Sequence, residues 1–235
     1  MPVDRTPNSR PKVRGAMEAP YGERGRGKSF LWYCYSARCE KDCSFRSNLE
    51  YFHFLRAEAD ASIASVDYAP RAHVARVAGE DIATIVDAVL ILVTGEVIWR
   101  EVKSEASLAV NADARAELQL LAQSRQSSRV GAKHEVHTER QLLSNAILLR
   151  NWHQALPWIA QVRGIPLEDE VDQIAALIKL RGSVQFSELL GLGGGNAPAI
   201  YGAAALRAVQ TGAFRSDLET RPFCKYTRFE FGSRA

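Results

Sequence analysis

Charged side chains interrupt two stretches of this 235-residue chain that are otherwise rich in apolar residues. Asp87 lies within Ile85–Val93, and both Glu101 and Lys103 lie within the next stretch, Val97–Lys103. Side chains of a strand alternate between its two faces, so Glu101 and Lys103 are predicted to share a face. Because an unpaired buried carboxylate is strongly destabilising, this predicted hairpin needs a partner for its charges.

A divalent cation between Asp87 and Glu101 would be one such partner. Mg²⁺ prefers hard oxygen ligands, and proteins bind it through one or two carboxylates together with water and phosphate. Ion pairs between Asp87 and Lys103, or between Glu101 and Arg100, would balance the same charges without a metal. A carboxylate two residues before a lysine occurs by chance about once in a chain of this composition. The residues therefore leave both interpretations open.

A third carboxylate precedes these strands on a predicted helix from Ser47 to about Ala59. Ser47 and Glu50 have the spacing of a capping box, in which the glutamate binds backbone N–H groups at the start of the helix. Glu50 is therefore either a helix cap alone or the source of a third metal ligand.

The surrounding pattern, from residue 29 to Arg163, alternates between strands and helices and predicts an α/β domain. The predicted strands are His73–Val77, Ile82–Val93, Val97–Lys103 and His134–Thr138. The predicted helices are Ala112–Ser124 and Glu139–Val162. Pro157 is expected to kink or break the second of these, because proline lacks a backbone N–H.

Two histidines, His134 and His137, could face one side of the last predicted strand. Solvent-exposed or phosphate-proximal histidines are favoured there over metal ligands. Three of the four cysteines, Cys34, Cys39 and Cys43, are too irregularly spaced for the paired ligands of a zinc site, which favours reduced thiols.

Residues 164–235 are predicted to form a second domain after a linker at Arg163–Pro166. Three helices are expected at Glu168–Leu180, Val184–Leu190 and Pro198–Gln210, followed by two short strands within Phe214–Phe231. This order is typical of a winged-helix domain. Arg207 is nearly the only basic residue of the third helix, which favours contact with protein over reading of DNA bases.

The remaining sequence restricts the classes of protein. Residues 1–28 are rich in proline, glycine and arginine and predict a flexible basic arm, either solubilising or in contact with phosphates. A net charge of +3 permits contact with nucleic acid without establishing it. No apolar run approaches the roughly 18 residues of a membrane helix, and no secretory signal is visible, so a cytoplasmic protein without membrane contact is expected.

Three motifs together resemble TnsA, the endonuclease subunit of heteromeric bacterial transposases. They are Ser47-Asn48-Leu49-Glu50 on the first helix, Val86-Asp87 at the strand, and Arg100-Glu101-Val102-Lys103 closing the hairpin. The likeness runs from about Ser36 to the C-terminus and rests on layout more than on motif beyond Lys103. It implies a PD-(D/E)xK, restriction-endonuclease-like core at 29–163 and a winged-helix-like domain at 164–235.

The resemblance also implies an activity: Mg²⁺-dependent nicking of the 5′ ends of a mobile element, with Mn²⁺ as a substitute ion. Asp87 would bridge the metals, Glu101 and the Val102 carbonyl would bind one of them, and Glu50 would help to hold the other. Lys103 would orient or help to deprotonate the attacking water. The implied partners are the DNA of the transposon ends, an integrase-type transposase subunit, and an AAA+ regulator bound through the C-terminal domain.

Two other functions stay open on the residues alone. One is a non-catalytic winged-helix regulator that binds DNA, in which Asp87 and Lys103 are a buried ion pair. The other is a stand-alone restriction or repair nuclease built on the same core.

Overall fold

A computed structural model describes residues 30–77, 79–109, 114–193 and 198–232 of the chain. Within these ranges the protein is a mixed α/β structure of eleven strands and eight α-helices. The basic arm predicted at residues 1–28 lies outside the described residues. None of the helices in the described ranges combines the length and the apolar character needed to cross a bilayer.

The strands form four sheets: the pair β1–β2, the pair β4–β5, a four-stranded sheet in the order β3-β6-β7-β8, and a three-stranded sheet in the order β10-β11-β9. Their bounds in chain order are β1 Trp32–Ser36, β2 Lys41–Phe45, β3 Ile63–Asp67, β4 His73–Val77, β5 Glu80–Thr84, β6 Ala88–Leu92, β7 Val97–Val102, β8 Lys133–His137, β9 Val184–Gln185, β10 Phe214–Ser216 and β11 Arg228–Phe231.

The helices vary from one turn to more than four turns. Their bounds are α1 Asn48–Ala59, α2 Glu105–Leu108, α3 Ala114–Arg129, α4 Glu139–Leu142, α5 Ala146–Gln161, α6 Glu168–Arg181, α7 Phe186–Leu192 and α8 Pro198–Thr211, with a 3₁₀ turn at Asp217–Glu219.

The described residues form two compact units, and the division passes through α1 and β3. The first unit comprises 30–34, 42–53 and 65–142. The second comprises 35–41, 54–64 and the residues from 143 onward. The predicted domain bounds, 29–163 and 164–235, stay predictions.

The register of the four-stranded sheet determines which side chains share a face. Strand β6 runs antiparallel to β7 with Ala88 opposite Arg100, and β7 runs parallel to β8 with Val102 opposite His137. Alternation along β7 then places Trp99 and Glu101 on one face and Arg100 and Val102 on the other. The β6–β7 turn is tight because Gly95 has a φ of +86°, which glycine adopts without strain.

Helix α3 packs in the first unit by its small side chains. Ala122 lies in a buried cluster with Ala75 and Val77 of β4, and Ile82 and Leu118 pack against it. The next residue, Gln123, is fully buried. Helix α3 therefore buries a polar side chain directly after an alanine that packs in an apolar cluster.

The predicted strand Ile82–Val93 is wrong in its continuity. Strand β5 ends at Thr84 and β6 begins at Ala88, and the two strands belong to different sheets. Asp87 lies in the connection between them. Its carboxylate accepts a hydrogen bond from the Val102 N–H of β7. This bond takes the place of the backbone pairing that a continuous strand would make with β7.

Other local predictions agree with the structure or shift slightly, except that Val184–Gln185, predicted as the start of a helix, form strand β9 and the helix begins at Phe186. The strand His73–Val77 is confirmed, as is the helix starting after Ser47. The predicted helix Glu139–Val162 is interrupted at 143–145, where the Asn145 side chain caps α5, and α5 runs through Pro157 to Gln161. A break at Pro157 is therefore wrong, although proline still removes one helical hydrogen bond there.

The core of the second unit depends on close approach between α8 and an aromatic pair. Trp158 and Phe186 meet edge to face with ring centroids 5.0 Å apart. A Cβ atom at Gly202 would lie 3.0 Å from the Phe186 ring and 3.3 Å from the Trp158 ring. Glycine at this position allows the helix backbone to lie directly against both rings, and the fully buried Ala203–Leu206 continue the contact surface.

A buried polar group also lies in the second unit. Glu58 has no solvent exposure, and its two carboxylate oxygens accept hydrogen bonds from Ser36 Oγ at 2.6 Å and from Gln210 Nε2 at 2.5 Å. The Arg38 guanidinium donates to the carbonyls of Asp60 at 2.6 Å and Gln210 at 2.9 Å. These bonds join the C-terminal end of α1 to the C-terminal end of α8.

Asn151 of α5 fixes the segment that follows the 3₁₀ turn. Its Nδ2 donates to the carbonyls of Leu218 at 2.7 Å and Arg221 at 2.6 Å, and its Oδ1 accepts from the Phe223 N–H at 2.8 Å. The side chain is fully buried. Since water cannot replace these bonds, the position of residues 218–223 depends on one amide.

We expect Asn151→Ala to lower the free energy of unfolding by about 2–4 kcal/mol, because buried backbone groups lose their partners. Urea unfolding followed by circular dichroism measures the change. The matched control is Gln154→Ala, an exposed amide in the same helix, which should change stability by no more than about 0.5 kcal/mol. Equal destabilisation by the two variants would contradict the role of Asn151.

Candidate functional site

Two carboxylates are buried together with the end of β7. Asp87 is 5% exposed and Glu101 is not exposed at all. The Asp87 Oδ2 accepts a hydrogen bond from the Val102 N–H at 2.6 Å. Because the N–H and C=O of one extended residue point to the same edge of a strand, the Val102 carbonyl lies on the edge that Asp87 approaches.

Glu101 has an ion-pair partner at one oxygen and a hydrogen-bond donor at the other. Its Oε1 lies 2.9 Å from the Lys103 Nζ, and its Oε2 accepts from Gln123 Nε2 at 2.9 Å. The Lys103 side chain keeps 20% of its surface exposed, so this ion pair extends from the buried carboxylate to solvent. Arg100 pairs with Glu135 at 2.8 Å, so the predicted alternative pair between Arg100 and Glu101 is wrong.

Gln123 organises the polar groups around Glu101. Its Nε2 also donates to Thr84 Oγ1 at 3.0 Å, and its Oε1 lies 3.2 Å from His134 Nε2. Sequence reasoning missed this residue. It is one of several glutamines in α3, and only its side-chain contacts distinguish it from the others.

Glu50 caps α1 as its spacing predicts. Its backbone N–H donates to Ser47 Oγ at 3.1 Å, and its Oε2 accepts the Arg46 N–H at 3.0 Å. His53, one turn later, lies with its ring centroid 6.3 Å from that of His137, which faces Val102 across β7 and β8. Helix α1 therefore reaches the end of the sheet where Val102 lies.

The structure pairs Asp87 with the Val102 N–H and Glu101 with Lys103 at the end of β7, and it places Glu50 separately on α1. Within the described ranges, no three histidine, cysteine, aspartate or glutamate side chains form a group that could hold a metal ion. This includes Cys34, Cys39 and Cys43, which form no disulfide. The described residues therefore offer two buried carboxylates, Asp87 and Glu101, at the end of β7.

The opposite face of the sheet carries an ion network. Glu135 accepts from Arg100 and lies 2.8 Å from Lys133 Nζ and 3.5 Å from His137 Nε2. Burial would raise the pKa of Glu135, but the hydrogen bonds from Lys133 and Arg100 lower it overall. His134 contacts Gln123 on the other face, so the two strand histidines do not share one side, as alternation along β8 requires.

No protein-family model matches this chain, and a search of curated proteins finds no match to it. The function is therefore inferred from the geometry around Asp87, Glu101 and Lys103.

Two histidines of the first unit predict a pH dependence of stability. Burial lowers the pKa of His134 against the smaller opposing effect of Glu135, and burial lowers the pKa of His73, whose ring lies 4.4 Å from that of Trp99. In the unfolded chain these groups bind protons near pH 6.5. Between that pH and the lower folded pKa the unfolded state binds more protons, so stability is full above about pH 6.5 and falls with decreasing pH.

We expect His134→Gln to reduce this loss of stability on acidification, because glutamine cannot bind the proton. Urea midpoints measured between about pH 7.5 and 5 report the slope for each protein. Gln154→Ala, at an exposed position of α5, is the control without a titrating group and should keep the wild-type slope. An unchanged slope in His134→Gln would show that this histidine does not drive the acid sensitivity.

Proposed function

We propose that this chain is a metal-dependent DNA endonuclease that nicks the 5′ ends of a mobile element within a heteromeric transposase. The observation that carries the proposal is the burial of Asp87 and Glu101 against the end of β7, with Lys103 bound to Glu101. Aspartate and glutamate side chains are almost never fully buried unless they are paired, so two of them at one strand end need positive charge nearby.

The donor set fits Mg²⁺ or Mn²⁺. Asp87, Glu101 and the Val102 carbonyl offer hard oxygen atoms, and two carboxylates suffice when water and a phosphate complete the coordination. When bound, such an ion supplies charge stabilisation at the phosphate and a more acidic water. Glu50 is proposed as a further ligand from α1 on the strength of the resemblance to TnsA.

The protein groups would each have a defined part in phosphodiester hydrolysis. Val102 holds the Asp87 carboxylate through its N–H, and Gln123 holds Glu101 through its amide, so both carboxylates are oriented before substrate arrives. Lys103, partly exposed beside Glu101, can place its positive charge at the scissile phosphate and orient the attacking water.

The layout of elements supports a restriction-endonuclease-like core. Helix α1 precedes β3, the β6–β7 hairpin follows, and α3 leads to the parallel strand β8, with β4–β5 inserted before β6. The helices α6, α7 and α8 with the sheet β10-β11-β9 support a winged-helix-like domain in the second unit. An integrase-type transposase subunit and an AAA+ regulator are its proposed partners, in the cytoplasm.

A non-catalytic DNA-binding regulator is the second candidate. It is favoured by the hydrogen bonds to Asp87 and Glu101 and by the Lys103–Glu101 ion pair, which engage both carboxylates without a metal. In that case the buried group contributes to stability alone, and removing one partner leaves an uncompensated charge.

We expect Asp87→Asn to abolish Mn²⁺ binding and Mn²⁺-dependent nicking of supercoiled plasmid, because the ligand charge is lost while the Val102 N–H keeps an acceptor. Calorimetric titration measures Mn²⁺ binding, and gel assays measure nicking. Each should fall by more than about 100-fold, which exceeds the loss typical when a residue that only supports a metal ligand is changed. Lys103→Ala should retain Mn²⁺ binding and lose about 10²–10⁴-fold in nicking rate.

The matched control is Glu135→Gln, which changes a carboxylate on the opposite face of the same sheet. It should keep Mn²⁺ binding and nicking. If wild type binds no Mn²⁺ and Asp87→Asn only melts at a lower temperature, Asp87 is structural and the regulator takes precedence.

A further inference from the structure

Three arginines converge on a surface cleft of the second unit. The cleft has a volume of about 310 Å³ and lies between β10, β11 and the segment after the 3₁₀ turn. Arg215 comes from β10, Arg228 from β11 and Arg221 from the intervening segment. Ser216 and Thr220 also line it. None of these residues has a part in the proposed cleavage.

Glu230, one of the two acidic residues that line the cleft, forms an ion pair with Arg215. Glu230 lies directly opposite Arg215 in the β10–β11 register. Its Oε2 accepts from Arg215 Nε at 3.1 Å and from Nη2 at 2.7 Å. The pair neutralises the Glu230 carboxylate and holds the Arg215 side chain in one orientation on the outer face of the sheet.

Asp217, the other acidic residue, binds backbone N–H groups of the segments that form the cleft. Asp217 Oδ1 accepts the Arg228 N–H at 3.0 Å, and the Asp217 carbonyl accepts the N–H groups of Thr220 at 3.1 Å and Arg221 at 2.9 Å. The carboxylate therefore anchors β11 to the 3₁₀ turn.

The guanidinium groups of Arg221 and Arg228 form no ion pair or hydrogen bond with any part of the chain that the structure describes, and both residues are exposed. The Ser216 hydroxyl is buried and has no hydrogen-bond partner among the described residues. Asn151 holds the carbonyl of Arg221 at 2.6 Å, so the backbone bearing one of these arginines is fixed from the core. The cleft thus presents unused donors on a preorganised backbone.

We propose that this cleft binds the phosphodiester backbone of DNA. Guanidinium groups match the geometry of phosphate oxygens and bind them through paired N–H donors. The guanidinium groups of Arg221 and Arg228 come from different elements, so they can bind two successive phosphates of a DNA strand. A single carboxylate of an acidic peptide would use only one of them. Outside the cleft lining, two residues before Arg228 in the sequence, Tyr226 is 60% exposed and Lys225 Nζ lies 4.9 Å from its ring centre.

This contact is separate from the proposed cleavage, because it lies in the second unit and requires no metal. It also differs from reading of bases by α8, whose Arg207 side chain is bound to Gln210 within the same helix. The cleft would add affinity and register on DNA without sequence preference.

The test is fluorescence anisotropy of a labelled DNA duplex of arbitrary sequence with the full chain in EDTA, over a series of salt concentrations. We expect Arg221→Ala/Arg228→Ala to bind about tenfold more weakly at ~0.1 M salt. The slope of log K against log salt should fall in magnitude by about 1.8, since each phosphate contact contributes about 0.9. Arg221→Lys/Arg228→Lys should keep the slope, because the charges remain.

The matched control is Lys179→Ala/Arg181→Ala, which removes two exposed charges from α6 outside the cleft. It should bind within about twofold of wild type with an unchanged slope. Equal losses in both double variants, or no loss in the cleft variant, would overturn the proposal. So would a wild type that binds poly-glutamate through Arg221 and Arg228 but not DNA, since the cleft would then receive an acidic protein. Because EDTA removes any metal, failure of the proposed nuclease activity leaves this result unaffected.

Discussion

The complete burial of Glu101 is the constraint on which the first unit depends. A carboxylate without access to water is tolerated only where hydrogen bonds and opposite charge replace its hydration. Lys103 provides the charge and Gln123 the hydrogen bond, and Gln123 is in turn bound to Thr84 and His134. The desolvation of one oxygen pair thus specifies how α3 lies against β7 and β8. Because Lys103 and Gln123 hold the Glu101 carboxylate in one orientation, it is also already oriented for a ligand.

Asp87 has a different relation to the sheet. Its carboxylate occupies the N–H of Val102, so the chain cannot continue as one strand from β5 into β6. The break allows β4 and β5 to form a separate antiparallel pair, with His73 opposite Thr84, and to pack against α3 through Ala75 and Val77. The same side chain therefore lies between two sheets, where the pairing of β7 with β6 ends and its pairing with β8 continues to Val102.

Local sequence signals predicted the elements whose cause is local. The capping box at Ser47, the glycine turn at Gly95 and the alternation along β7 all have reasons within a few residues, and each appears in the structure. The break before Ala88 and the role of Gln123 depend on side chains brought together from distant positions, and a single sequence contains no signal for them. Asp87, Glu101 and Lys103 could be selected from the sequence because their neighbours in the chain are apolar. The pairing of Arg100 with Glu135 could not, because the two residues are 35 positions apart.

The second unit draws on residues 35–41 and 54–64 as well as the C-terminal part of the chain. Glu58 accepts its bond from Gln210, which follows 152 positions later. On a ribosome adding about 5–20 residues per second, Gln210 is synthesised roughly 10–30 s after Glu58. During that interval the nascent chain carries an acidic helix end without its final partner. Assembly of the second unit therefore waits for the C-terminal end of α8, and a fragment beginning near Arg163 would lack residues 35–41 and 54–64, which belong to this unit.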